Sequence, residues 1–161
     1  MKKVVGAFAL GILALLPAVL VLAGQFDFLR GQQPAGLGAT NGRLKAPDAA
    51  QENSVSSQAA MYPHTAYHLI APLTMKSDGK AAFVRLTAIV GAMDGAKVIK
   101  QEPDYLYAQF QSPWLHFIDD VEFLLDEKEG MIHMRSASRL GRRDFGINRK
   151  RLDAIRAKFN Q

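Results

Sequence analysis

The sequence predicts an α+β domain: a curved antiparallel sheet with two helices on one face, in the order β-α-β-β-β-β-α, behind an N-terminal membrane helix or signal segment. Three observations carry that expectation. An uncharged apolar run from Val4 to Ala23 follows Lys2 and Lys3. Two stretches, 78–93 and 148–159, repeat apolar residues at helical spacing. Short runs rich in β-branched and aromatic residues, separated by turn residues, fill the space between them.

The apolar run is twenty residues long. As a helix it would extend ~30 Å, the thickness of a bilayer's hydrocarbon core. Val21-Leu22-Ala23 before Gly24 has the small-residue spacing that a signal peptidase cuts, but the run exceeds the usual ~7–15 residue signal core. An uncleaved anchor is therefore the preferred reading. Pro17 is compatible with it, since membrane helices tolerate proline. The two lysines stay inside by the positive-inside rule, so residues after 24 are expected outside the cytoplasm. The expected location is the inner (cytoplasmic) membrane with the domain facing the periplasm, or the periplasm itself if the leader is cleaved.

With 161 residues and 48% hydrophobic content, the chain has enough material for one core. Three parts are delimited: 1–23, the anchor or signal peptide; 24–58, a Gly/Pro/Ala/Gln-rich tether; and 59–161, the α+β domain. The tether has no apolar period, and is expected to lie over the domain or to stay mobile. "TAYHLIAPL", 65–73, is read as the first strand, with Pro72 marking an edge or end. Ser77 is the expected cap of a helix from Asp78 to Met93, with Ala82, Leu86, Ile89 and Met93 on one face and Gly95 as the stop. Strands are expected at Lys97–Glu102, Tyr105–Ser112, Asp119–Asp126 and Met131–Ser138, the last two joined by the "EKEG" turn. The closing helix, Asn148–Phe159, places Leu152, Ile155 and Phe159 on one stripe. By topology alone the order resembles the helix-grip or TATA-binding-protein-like (TBP-like) arrangement.

The charge is unevenly distributed. Residues 135–161 hold nine Lys and Arg against Asp144 and Asp153, within a chain of net charge +5. The "EKEG" turn, pairing Asp126 with Met131, sets Glu122 opposite Arg135. Asp120, His133 and Arg139 then neighbour that pair on the same surface. Asp119, Asp120, Glu122, Arg135, Arg139, Asp144, Asn148 and Arg149 emerge as one polar network. As a structural clamp it docks the turn and the last helix onto the sheet; Asp144 and Asn148 suit a helix N-terminus, and Gly141 and Gly146 a turn with positive φ. As a ligand site, its arginines would present spare donors to an anion such as a phosphate or lipid head group.

Other chemistry has little support. There is no cysteine, which excludes disulfides and thiolate ligands. His64 and His68 stand i, i+4 without a helical context, and are read as ordinary histidines. "NSVSSQA", 53–59, has serines but no nucleophile elbow. Tyr105, Tyr107, Trp114 and Phe117 are read as strand aromatics rather than a base-stacking platform. No catalytic residue, metal, cofactor or nucleic-acid partner is therefore assigned.

The tracts "YLYAQFQSPWLHFIDDVEFLLD" and "GMIHMRSASRLGRRDFGINRKRLDAIR" resemble the bacterial and plant family called domain of unknown function 1499. The likeness covers about residues 40–157, and is most specific between Phe117 and Arg151. It implies a domain that is often secreted or membrane-attached, and no established activity. Many members carry cysteines where this chain has "KAPDAAQENS", so the resemblance brings no thiol or metal role to that segment.

The expected function is a membrane-anchored extracytoplasmic domain that binds a small anionic ligand or an envelope protein, a binding module rather than an enzyme. The alternative is a hydrolase of the cell envelope using Asp119, Asp120 and Glu122 around a divalent cation. Arginines crowding those acids oppose it.

Overall fold

The computed structural model describes residues 15–76 and 78–161. A helix, α1, covers residues 15–25. The rest of the anticipated membrane run lies outside the described residues. Among the described residues no helix is long and apolar enough to cross a membrane.

The domain is α+β with one antiparallel sheet. Its strands are β1 (Ser54–Ser56), β2 (Leu73–Thr74), β3 (Ala96–Gln101), β4 (Tyr105–Gln111), β5 (Ile118–Asp126) and β6 (Met131–Ser138). They lie in the order β1-β6-β5-β4-β3, with β2 also pairing β6. The β5/β6 hairpin has the register its turn dictates: Asp126 faces Met131, Glu122 faces Arg135 and Val121 faces Ser136. Gly130 takes the positive φ of 64° that closes that turn.

Helices α2 (Gly79–Gly91) and α3 (Ile147–Phe159) pack on one face of the sheet. The α2 cap is Asp78, whose carboxylate accepts the Ala81 N–H at 2.8 Å; Ser77, the cap expected from sequence, lies outside the described residues. The buried stripe of α2 is Ala82, Phe83, Leu86 and Val90, with Ile89 and Met93 only partly covered. It is rotated from the expected one: Phe83 and Val90 take the core places expected of Ile89 and Met93. On α3 the expected Leu152, Ile155 and Phe159 are all buried. These residues meet Val121, Phe123, Ile132 and Met134 from the sheet in one core. Gly95 has a second role: a Cβ there would lie 2.4 Å from the Gln111 carbonyl oxygen, so only glycine lets the chain enter β3 this close to the end of β4.

The first strand differs from expectation. Residues 65–73 do not run extended; Ala66–His68 form a 3-10 turn, and only Leu73–Thr74 join the sheet. Side-chain hydrogen bonds win over β propensity here. His68 Nδ1 accepts the Thr65 N–H at 3.0 Å. Its Nε2 then carries the proton and donates to the Gln51 carbonyl at 2.9 Å. The edge place is taken by β1, from the segment read as tether.

The tether lies over the second face of the sheet. Leu44 is buried against Tyr105, Tyr107 and Leu124, with Leu37 beside it. Gln58 fixes this loop, accepting the Leu44 N–H at 2.8 Å and donating to the Gly42 carbonyl at 2.9 Å. Tyr62 donates to the Leu44 carbonyl at 3.0 Å. β5 is therefore covered on both sides, and eight of its nine residues are buried; its charged residues lie within the domain. At the other edge β3 is mostly exposed, and Lys97, Lys100 and a bulge at Val98/Lys100 protect it from further pairing.

Candidate functional site

Strand alternation divides the charged tracts between the two faces of the sheet. On β5, Asp120 and Glu122 point towards the tether, while Asp119 shares the helix-side face with Val121 and Phe123. Arg135 on β6 and Arg139 just after it point towards the tether, while Ser136 and Ser138 turn to α3. Each of these side chains meets a partner there.

On the tether side Glu122 and Arg135 are both buried and form an ion pair at 2.9 Å. The other Glu122 oxygen accepts the Tyr105 hydroxyl at 2.8 Å and the Gly38 N–H at 2.8 Å. Asp120, also fully buried, accepts Arg139 through Nη2 at 2.7 Å and Nε at 2.9 Å. This is a two-pronged fork, and it fixes orientation as well as charge. The Tyr107 hydroxyl donates to Asp120 at 2.6 Å and receives Gln109 at 2.9 Å. Hydrogen bonding to Asp120 pushes the Arg139 guanidinium further up, against its burial. Burial, reinforced by the Glu122 charge, drives the Tyr105 phenol well above its ordinary range. The Tyr107 phenol is raised for the same first reason, and by its bond to Asp120.

On the helix side Arg151 donates to Asp119 at 2.6 Å and packs over the Phe110 ring at 4.9 Å. It also reaches the Asn148 side-chain oxygen at 2.8 Å and the Ser136 hydroxyl at 3.0 Å. The Asn148 amide donates to Asp144 at 2.6 Å, to the Ser138 hydroxyl at 2.9 Å and to the Asn53 carbonyl at 3.1 Å. Asp144 holds the start of α3 through the N–H groups of Gly146 at 2.8 Å and Asn148 at 3.2 Å. The Tyr67 hydroxyl donates to the same carboxylate. Burial and this bond push the Tyr67 phenol up to about 12.

The expected network is thus two networks on opposite faces. Asp120, Glu122, Arg135 and Arg139 form one; Asp119, Asp144 and Asn148 form the other. Among the described residues Arg149 meets no carboxylate, and it donates instead to the carbonyls of Tyr67 at 2.8 Å and Leu69 at 2.7 Å. Asp119 cannot share a cation with Asp120 and Glu122 from the far side of the sheet. Among the described residues no three His, Asp or Glu side chains converge as metal ligands.

These networks account for most of the distinctive tracts, from D-D-x-E on β5 to R-S-x-S-R along and just after β6 and the Asn148 and Arg151 of N-R-x-R on α3. A family model described as "Protein of unknown function (DUF1499)" matches residues 46–159. This chain belongs to that family. No curated protein matches the chain, and no solved structure does.

Within the DUF1499 region the sequence reading missed Arg151, Tyr67, Tyr105 and Tyr107. Arg151 was legible, because it stands three residues after Asn148 on the same helical face. The two tyrosines were legible by register as well: they alternate towards the face that holds Asp120 and Glu122. Tyr67 had no signal, since its turn was read as strand. Nor did the Gly38 N–H, which approaches Glu122 from 84 positions away.

Proposed function

We propose that this chain is a membrane-attached extracytoplasmic interaction domain, held by residues 4–23, that binds a small anionic ligand or an envelope protein and does not turn over a substrate. The observation that carries this reading is the mutual neutralisation of its site. Asp119, Asp120 and Glu122 each meet an arginine at 2.9 Å or less. Asp120 and Glu122 also each accept a tyrosine hydroxyl. Acid-base work needs a carboxyl that is free to reach substrate and exchange a proton; Asp120 and Glu122 are fully buried with both oxygens hydrogen-bonded inside the sheet, and Asp119 is held by Arg151. They are scaffold. Contact with a partner falls to the exposed surface, where Arg142, Arg143 and Lys150 stand clear of the buried pairs.

Attachment to a membrane is supported by Lys2 and Lys3 ahead of twenty uncharged residues, and by the exposed apolar side chains of α1. Cell fractionation with protease protection tests it: the full chain is expected in the membrane fraction with its domain outside the cytoplasm, and recovery from the soluble cytosol overturns the proposal. Thermal melts with calcium, magnesium or manganese test the absence of turnover chemistry at the acids. No change in midpoint is expected, whereas a dose-dependent rise indicates a cation on the carboxylates and favours the envelope hydrolase.

A further inference from the structure

Large apolar side chains are exposed in an uneven pattern. Met61, Leu69, Val84 and Ile99 are scattered, as on any protein surface. The remaining exposed ones fall on α1, on Phe26 and Phe28 that follow it, and on two loops: Trp114 and Phe117 between β4 and β5, and Leu140 and Phe145 between β6 and α3, with Ile147 at the first position of α3. The chain itself brings these together. Gly24 packs so tightly on Leu115 that a Cβ would lie 2.6 Å from its carbonyl oxygen. Gln25 donates to the Trp114 carbonyl at 3.4 Å, and Asp27 lies 3.8 Å from the His116 ring. Further along, Gly31 abuts Arg139 and Leu140. Phe117, Leu140, Phe145 and Ile147 supply apolar walls to one cavity of about 380 Å³, which Asp119 and Asp144 also line.

We infer that this edge is a second membrane contact: the two loops dock onto the surface of the bilayer to which residues 4–23 attach the chain. The inference rests on the membrane attachment proposed above, and adds an orientation to it. Three features favour a bilayer as the occupant. The apolar surface is continuous with α1, the described end of the apolar run, so a membrane holding that run already lies against these loops. Tryptophan and phenylalanine are the side chains that settle at the headgroup boundary; Trp114 is 71% exposed and Phe145 87%. Arg142, exposed at the tip, suits an anionic headgroup, and Arg143 beside it, also exposed, pairs with Glu52 at 3.2 Å. Phe145 is also held at φ 53°, a left-handed backbone that bulky side chains rarely adopt. The fold keeps an aromatic ring in water at a position where asparagine would fit more easily.

Trp114 is the sole tryptophan of the chain, so its fluorescence reports on this edge alone. The full chain, reconstituted in vesicles of phosphatidylethanolamine and phosphatidylglycerol, is expected to float with the lipid. Its emission should be blue-shifted, quenched by acyl chains bearing bromine, and protected from aqueous iodide. Phe145→Asn, which relieves the backbone, should keep flotation and lose much of the bromine quenching. Emission from a hydrated indole, open to iodide and indifferent to brominated lipid in chains that float, overturns the docking and leaves the attachment standing. Failure to float overturns both. A blue shift that vanishes when protein is diluted into excess lipid assigns the edge to a second copy of the chain, and overturns the bilayer as its occupant.

Discussion

Glu122 and Arg135 face one another across the β5/β6 hairpin, and their ion pair of 2.9 Å is sealed from solvent by the tether. Removing one partner leaves a buried charge unmatched, at a cost of about 3–5 kcal/mol. Glu122→Ala and Arg135→Ala should each fall in that range by chemical denaturation. The double variant should be less destabilised than the sum, with a coupling on the order of 0.5–3 kcal/mol. Strict additivity would contradict the pairing.

Asn148 joins α3 to Ser136 and Ser138 of β6 and to Asn53, the residue before β1, through three side-chain hydrogen bonds. Asn148→Ala leaves the Ser136 and Ser138 hydroxyls and the Asn53 carbonyl to find other partners inside the domain. A loss of roughly 1–3 kcal/mol is expected from unsatisfied buried groups. Lys150→Ala, exposed on the same helix, should change stability by no more than about 0.5 kcal/mol. Equal effects in a denaturant titration would count against the bridging role.

The covering of the second face is tested at Leu44, which is 1% exposed. If the segment is packed as described, Leu44→Ala costs about 2–5 kcal/mol, as in other cores. Amide hydrogen exchange should show residues 37–45 protected in the parent and open in the variant. A loop that exchanges at once in the parent has no such packing.

Burial holds the His133 imidazole below its ordinary 6.5, against the opposing pull of Asp126 and Glu129. The folded chain therefore binds fewer protons at this site than the unfolded chain. That contribution to stability is present above pH 6.5 and is lost as pH falls below it. Melting temperature should decline between about pH 6.5 and pH 5, before carboxylates begin to titrate. His133→Gln should flatten that interval.

At the alkaline end the sign is opposite in its consequence. Tyr67, Tyr105 and Tyr107 all have phenols pushed above the ordinary 10.0, Tyr67 to about 12. The folded state keeps protons that the unfolded state releases, so stability is lost as pH rises from 10. The tyrosinate absorbance of these three should rise cooperatively with unfolding. A smooth titration of the three near pH 10 in the folded protein would contradict their burial.

How much of this was legible in the sequence depends on the range of the interaction concerned. The β5/β6 register follows from a turn of a few residues and a period of two, so the Glu122–Arg135 pair could be derived without coordinates. The stripe Leu152, Ile155 and Phe159 follows from helical period alone. The turn at Ala66–His68 could not be read, because it depends on a bond from His68 to Gln51, a partner 17 positions away. For the same reason β1 went unseen: Ser54–Ser56, with Val55 as its one apolar residue, is too short to show a period and pairs along the edge of β6. Within the site, charge and alternation located the acids and two of their arginines. They did not separate the two faces, because Asp119 and Asp120 are neighbours in sequence and opposites in space.

Gly24, Gly31 and Gly38 touch the domain in succession, at Leu115, at Arg139 and at Glu122. The segment that joins α1 to the sheet is thus fastened at three places, the β4–β5 loop first and the Glu122 carboxylate only fourteen residues later.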